Sequence, residues 1–130
     1  MANPNLFAAT TASGTTTYYA PAGTAALVLV PNAASSGQVF KINQIVVANT
    51  TATAANATVA VYSNGAVAQG SAPAGGTAYP IVSAVSVPAN ASLIAVDKTT
   101  AVYLMEGHSI TITSGTASAL VFTISYEVIS

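Results

Sequence analysis

The sequence predicts an all-β protein: a two-sheet antiparallel β-sandwich, jelly-roll or immunoglobulin-like in topology, with an extended N-terminal arm. Three observations predict it. β-Branched and aromatic residues gather into short, strand-length blocks; several blocks alternate apolar and polar residues with period two; and clusters of Pro, Gly and Asn separate them. No window of helical length repeats apolar residues at three and four without meeting one of these breakers. The 130 residues suit one domain, with the arm at 1–14 and the sandwich at 15–130.

The arm, MANPNLFAATTASG, shows no alternation, only the pair Leu6-Phe7 among Asn, Ala and Thr. It reads either as a frayed terminus or as a segment whose Leu6 and Phe7 anchor on a neighbouring subunit. The strand blocks follow as TTTYYA (15–20), ALVLV (26–30), VFKINQIVVA (39–48), ATVAVYS (57–63), YPIVSAVSV (79–87), SLIAV (92–96), AVYLM (101–105), SITITS (109–114) and ALVFTISYEV (119–128). In the third block the pattern puts Phe40, Ile42, Gln44 and Val46 on one face, with Lys41 and Asn43 on the other. Ile110 and Ile112 alternate with Ser109, Thr111 and Thr113. The last block sets Leu120, Phe122, Ile124, Tyr126 and Val128 against Thr123, Ser125 and Glu127. Pro21-Ala-Gly, Pro31-Asn, Ser63-Asn-Gly, Pro73-Ala-Gly-Gly, Pro88-Ala-Asn, Glu106-Gly-His and Ser114-Gly-Thr read as turns, through fixed φ at Pro and accessible positive φ at Gly and Asn.

Only 4% of residues are charged, where an ordinary domain carries roughly 25%. Two basic side chains cannot displace the counterions of a phosphate backbone or build a polybasic membrane patch, so neither nucleic acid nor membrane is expected as a partner. General acid–base chemistry is starved by a supply of three carboxylates and one histidine. Without cysteine there is no disulfide framework, thiolate nucleophile or thiolate metal site. No apolar run approaches the ~20 residues a bilayer span requires. The N-terminal stretch has neither a positive n-region nor an apolar h-region, so the product is expected to stay where it is translated. Asn49, Asn56 and Asn90 each head an N-x-Ser/Thr triplet, a chance match in so Ser- and Thr-rich a chain.

Glu106 and His108 lie in a predicted hairpin turn. Two ligands are too few for zinc, and a solvated turn accounts for them better than a catalytic pair. No G-x-S-x-G is present, and Gly75-Gly76 has neither the Lys nor the following helix of a phosphate cradle. No catalytic residue, cofactor or metal is therefore expected. The six tyrosines (Tyr18, Tyr19, Tyr62, Tyr79, Tyr103, Tyr126) could stack on sugar rings, but filling sandwich cores with the hydroxyl at the rim is their commoner use. Asp97-Lys98 reads as a solvated turn, and Lys41 as a charge guarding a sheet edge.

A chain with so little charge repels its neighbours weakly and suits an assembly held by apolar burial and backbone pairing. From Thr15 onward, the order TTTYYAPAG, KINQIVVANTT, VSVPANASL, YLMEGHSITITSG and ISYEVIS resembles small β-sandwich virion proteins of tailed bacteriophages, most of all the capsid decoration (cement) proteins of cyanophage-type phages. The resemblance implies a non-enzymatic protein made in the host cytoplasm and carried on the virion. There it would bind the major capsid protein, group as a homo-oligomer with a trimer favoured, and bridge capsid subunits on the exterior. Similar sandwiches in phage tails and fibres imply the alternative of an adhesion domain that binds host surface glycan. The composition also sets an expectation about salt. At about 1 M the Debye length is ~3 Å, which screens ion pairs but leaves apolar contacts intact. Retention of the protein on purified particles is thus expected to change little from low salt to about 1 M, and progressive release would show that charge dominates the contact.

Overall fold

A computed structural model describes residues 4–65 and 67–130. Its strands are β1 (Ala12–Tyr19), β2 (Leu27–Asn32), β3 (Val39–Asn49), β4 (Ala55–Tyr62), β5 (Ala78–Val87), β6 (Ser92–Val96), β7 (Val102–Leu104), β8 (His108–Ser114) and β9 (Leu120–Ile129). A single 3-10 turn, Lys98–Thr100, separates β6 from β7. One sheet runs β1-β9-β3-β6, with β7 sharing the β3 edge; the other runs β2-β8-β4-β5. All pairings are antiparallel, and only β4–β5 joins consecutive strands. The pairings nest instead: β1 with β9, β2 with β8, β3 with β6 and β7, and β4 with β5. Such a folded-over ribbon, rolled into two sheets, is a jelly roll, which decides between the two topologies left open by the sequence.

The core lies between the sheets. Phe40, Ile42, Ile45, Val47, Phe122 and Ile124 come from the first sheet, and Leu29, Val59, Ile110 and Ile112 from the second, nearly all fully buried. Their spacing carries the strands: alternate residues point inward, and burial of each large side chain contributes about 1.5–3 kcal/mol. The last block keeps its expected alternation throughout, with Leu120, Phe122 and Ile124 buried.

The third block departs from expectation halfway. Ile42 pairs Tyr126 while Gln44 pairs Ser125, so Asn43 is an extra residue in β3. This bulge reverses the phase: Ile45, Val47 and Asn49 turn inward, Gln44 is exposed and Val46 faces out. The Asn43 amide reaches the Glu127 carboxylate (Nδ2–Oε2 2.9 Å).

Three other expectations are corrected. β1 begins at Ala12, so the last residues assigned to the arm pair with β9 as far as Ala12↔Ile129, and Thr10 and Thr11 both donate to the Ser130 carbonyl. Pro31-Asn32 ends β2 instead of forming a turn. Proline is tolerated there because β2 is an edge strand. Lys41 is not at an edge, since β3 lies between β9 and β7 and sets it opposite Glu127 and Tyr103.

Two buried asparagines stitch the sheets together in the same way. Asn32, at the end of β2, donates through Nδ2 to the carbonyls of Gln38 (3.0 Å) and of Leu104 in the opposite sheet (3.1 Å), and accepts from Ser36 Oγ (2.6 Å). Asn49, at the end of β3, donates to the carbonyls of Thr53 (2.8 Å) and of Val87 in the opposite sheet (3.0 Å), and accepts from Thr51 N and Oγ1. Burial strengthens these bonds and makes an unpaired carbonyl costly. Asn49 is thereby closed to glycosylation in the folded chain. Asn32→Ala or Asn49→Ala is expected to lower stability by about 3 kcal/mol in urea denaturation, whereas exposed Asn56→Ala stays within about 0.5 kcal/mol.

Candidate functional surface

The outward side of the β1-β9-β3-β6 sheet is built from residues that alternate with the core. Across it run Tyr18, Thr123, Val46 and Ile94, each opposite the next, and further along Gly14, Glu127, Lys41 and Tyr103. Tyr18 is 71% and Ile94 58% exposed. Lys41 and Glu127 are the face's two charges, set on adjacent strands. The surface presents rings, methyl groups and hydroxyls, and Thr16 Oγ1 meets Ser125 Oγ at 3.0 Å.

Leu6 and Phe7 are carried to the border of this face. Residues 5–8 form a turn in which Ala8 N donates to the Asn5 carbonyl and Phe7 N to Asn5 Oδ1. Phe7 stands fully exposed, while Leu6, half-exposed, lines a shallow groove of about 400 Å³ with Ala9, Lys41, Tyr103, Glu127 and Ile129. Of the two residues singled out in the sequence, Leu6 therefore lies near Lys41 and Glu127. The sequence carried no sign that Tyr103 and Ile129 join Leu6, because the β3–β7 and β1–β9 pairings that bring them there connect segments far apart in the chain.

A second, smaller groove opens between the edges of β1 and β2, lined by Thr15, Thr17, Leu29, Gln69 and Tyr126. Burial raises the Tyr126 hydroxyl above its ordinary pKa, and its ring packs on Phe40 with centroids 5.1 Å apart. Residues 69–71 close this side. Gly70 N donates to the Val28 carbonyl, Val28 N to the Ser71 carbonyl, and Gln69 Nε2 to the Leu29 carbonyl (3.0 Å) and Thr17 Oγ1 (3.1 Å). Gly65 must be glycine, since a Cβ there would collide with the carbonyls of Asn32 and His108.

Glu106 and His108 are not in a hairpin. The turn between β7 and β8 crosses from one sheet to the other, because β7 pairs β3 whereas β8 pairs β2 and β4. His108 is half-buried, and its Nδ1 lies 3.0 Å from the Glu106 main-chain oxygen, a contact that requires the proton on Nδ1. Its near partner is thus a peptide carbonyl. Among the described residues, no three His, Asp or Glu side chains gather as metal ligands. No helix among them is long and apolar enough to cross a membrane. Of the tyrosines, Tyr62 is buried with its hydroxyl accepting from Gly76 N (3.0 Å), while Tyr18, Tyr79 and Tyr103 are exposed.

Asp97 caps the Lys98–Thr100 turn, accepting from Thr99 N and Oγ1 and from Thr100 N, while Thr100 Oγ1 meets Asp97 N. No family model, curated protein or solved structure matches this chain. The bonds from the Thr99 side chain and backbone, then from Thr100, hold the Asp97 carboxyl below its ordinary pKa of 3.8. A lowered folded-state pKa means the cap's contribution is present above the unfolded value and fades as pH falls through the folded one. NMR titration is therefore expected to place Asp97 below 3.8, and Thr99→Ala to return it towards that value.

Proposed function

We propose that this protein is a non-enzymatic structural component of a tailed-phage virion that decorates the capsid exterior and bridges neighbouring major capsid subunits. The observation that carries the reading is the broad, almost uncharged outward face of the β1-β9-β3-β6 sheet, bordered by the exposed Leu6 and Phe7. Contacts made by such a surface rest on apolar burial and hydrogen bonds, and repetition over a lattice multiplies modest individual free energies. The jelly roll itself hosts unrelated activities and supports the reading only by analogy. Copies grouped as trimers at lattice three-folds would present the Leu6-Phe7 turn to adjacent subunits.

A second reading has one observation in its favour: Tyr18, Tyr79 and Tyr103 are all exposed and available to stack on sugar rings of a host glycan. The two readings separate on particles that lack the protein. Under the decoration reading such particles adsorb to cells as before but break at lower temperature. Intact, heat-stable particles that no longer adsorb would overturn it in favour of the adhesion reading.

A further inference from the structure

A sheet edge exposes main-chain donors and acceptors that invite another strand, and proteins usually blunt it. Three of the four sheet borders here are blunted. β2 carries Pro31, a register shift, and the 69–71 segment bonded to Val28 and Leu29. β5 has Pro80, two register shifts and Ala84 at φ +49°. The border beyond β3 is divided between β6, of five residues, and β7, of three. β1 has neither proline nor register shift, and the 69–71 segment meets it at side chains, Thr17 Oγ1 and the Tyr19 ring. Its eight residues, ASGTTTYY, hold no charge and no proline, and its register with β9 runs unbroken from Ala12↔Ile129 to Tyr19↔Phe122.

The hydrogen-bond phase says which groups face out. Thr11 and Ser130 exchange both main-chain bonds, N to O at 3.0 Å each way. Exchanging pairs recur every second residue in an antiparallel ladder, so Ser13, Thr15, Thr17 and Tyr19 bond to β9. The N–H and C=O groups of Ala12, Gly14, Thr16 and Tyr18 therefore point to the free edge. Their side chains share the outward face.

We propose that β1 pairs antiparallel with β1 of a second copy about a two-fold axis at Thr16, merging the two sheets into one. In this register Thr16 meets the partner's Thr16, and Tyr18 meets the partner's Gly14. Three pairs then exchange six main-chain hydrogen bonds. Shape selects this register over its neighbours: Tyr18 is the most exposed residue of the strand's aromatic end, and Gly14 leaves open space where its Cβ would be, so each ring lies over the other copy's glycine. The occupant is a second copy because the strand is complementary to itself: it carries no like charges to repel, and threonine pairs well across strands. This contact joins two copies and closes, so it is separate from any three-fold grouping and does not rest on the capsid reading.

The chain's lack of cysteine makes the test clean, since a single introduced cysteine can form a disulfide only between copies. Exchanging pairs have Cα atoms about 5.5 Å apart, within disulfide reach. With oxidised glutathione, Thr16→Cys is expected to cross-link at least about tenfold faster than Ser92→Cys on the opposite border. In sedimentation the unmodified protein should be a dimer, and Thr16→Lys, which sets two ammonium groups together at the axis, a folded monomer. Equal cross-linking rates, a monomer at every concentration, or a Thr16→Lys protein that still dimerises would overturn the proposal. If Thr16→Lys fails to fold, the cross-linking rates decide alone.

Discussion

Everything in this fold depends on the two ends of the chain finding each other. β9 lies between β1 and β3, so the first strand is held in the sheet only by the last. Neither disulfide nor metal ligation by cysteine is available to close that long loop in advance. The closure entropy must be met by main-chain bonds and by burial of Phe122 and Ile124 against Ile42 and Ile45. Such a high separation between contacting residues also makes folding slow relative to a helical protein of this size.

Once the ribbon is closed, two sheets with almost no charge must stay in one relative position. Apolar side chains alone tolerate sliding; directed bonds do not. Asn32 and Asn49 provide those bonds, each joining its own strand end, the turn that follows, and a carbonyl of the other sheet. Gln69 adds a third tie, from the Leu29 carbonyl of β2 to Thr17 Oγ1 of β1. None of these three ties uses the outward face of the first sheet, where Tyr18, Ile94 and Tyr103 stand exposed.

The strands were legible because burial imposes its period directly on neighbouring residues, and all nine blocks correspond to strands within three residues at either end. Sheet order was not, since it depends on pairings between segments up to the full chain apart, which local pattern does not encode. The misplaced face of Gln44 and Val46 comes from the same limit: a bulge at Asn43 is a relation between β3 and β9. Asn32 misled, and the role of Asn49 went unseen, for a different reason. Asparagine is common in turns and heads glycosylation triplets, and nothing local distinguishes a buried, fully bonded amide from an exposed one. Leu6 and Phe7 stood out as apolar residues without an alternating context, and the structure leaves Phe7 fully exposed and Leu6 half-exposed.

The bonds between Thr10, Thr11 and Ser130 have a topological consequence. Thr10 and Ser130 lie side by side at one corner of the sandwich. A segment entering at Thr10 and one leaving at Ser130 therefore pass through the same place and run alongside each other. Joining Ser130 to Thr10 with a short linker and opening the chain elsewhere, for instance in the long β4–β5 connection, would preserve every strand pairing while putting β5 to β9 ahead of β1 to β4 in the order of synthesis.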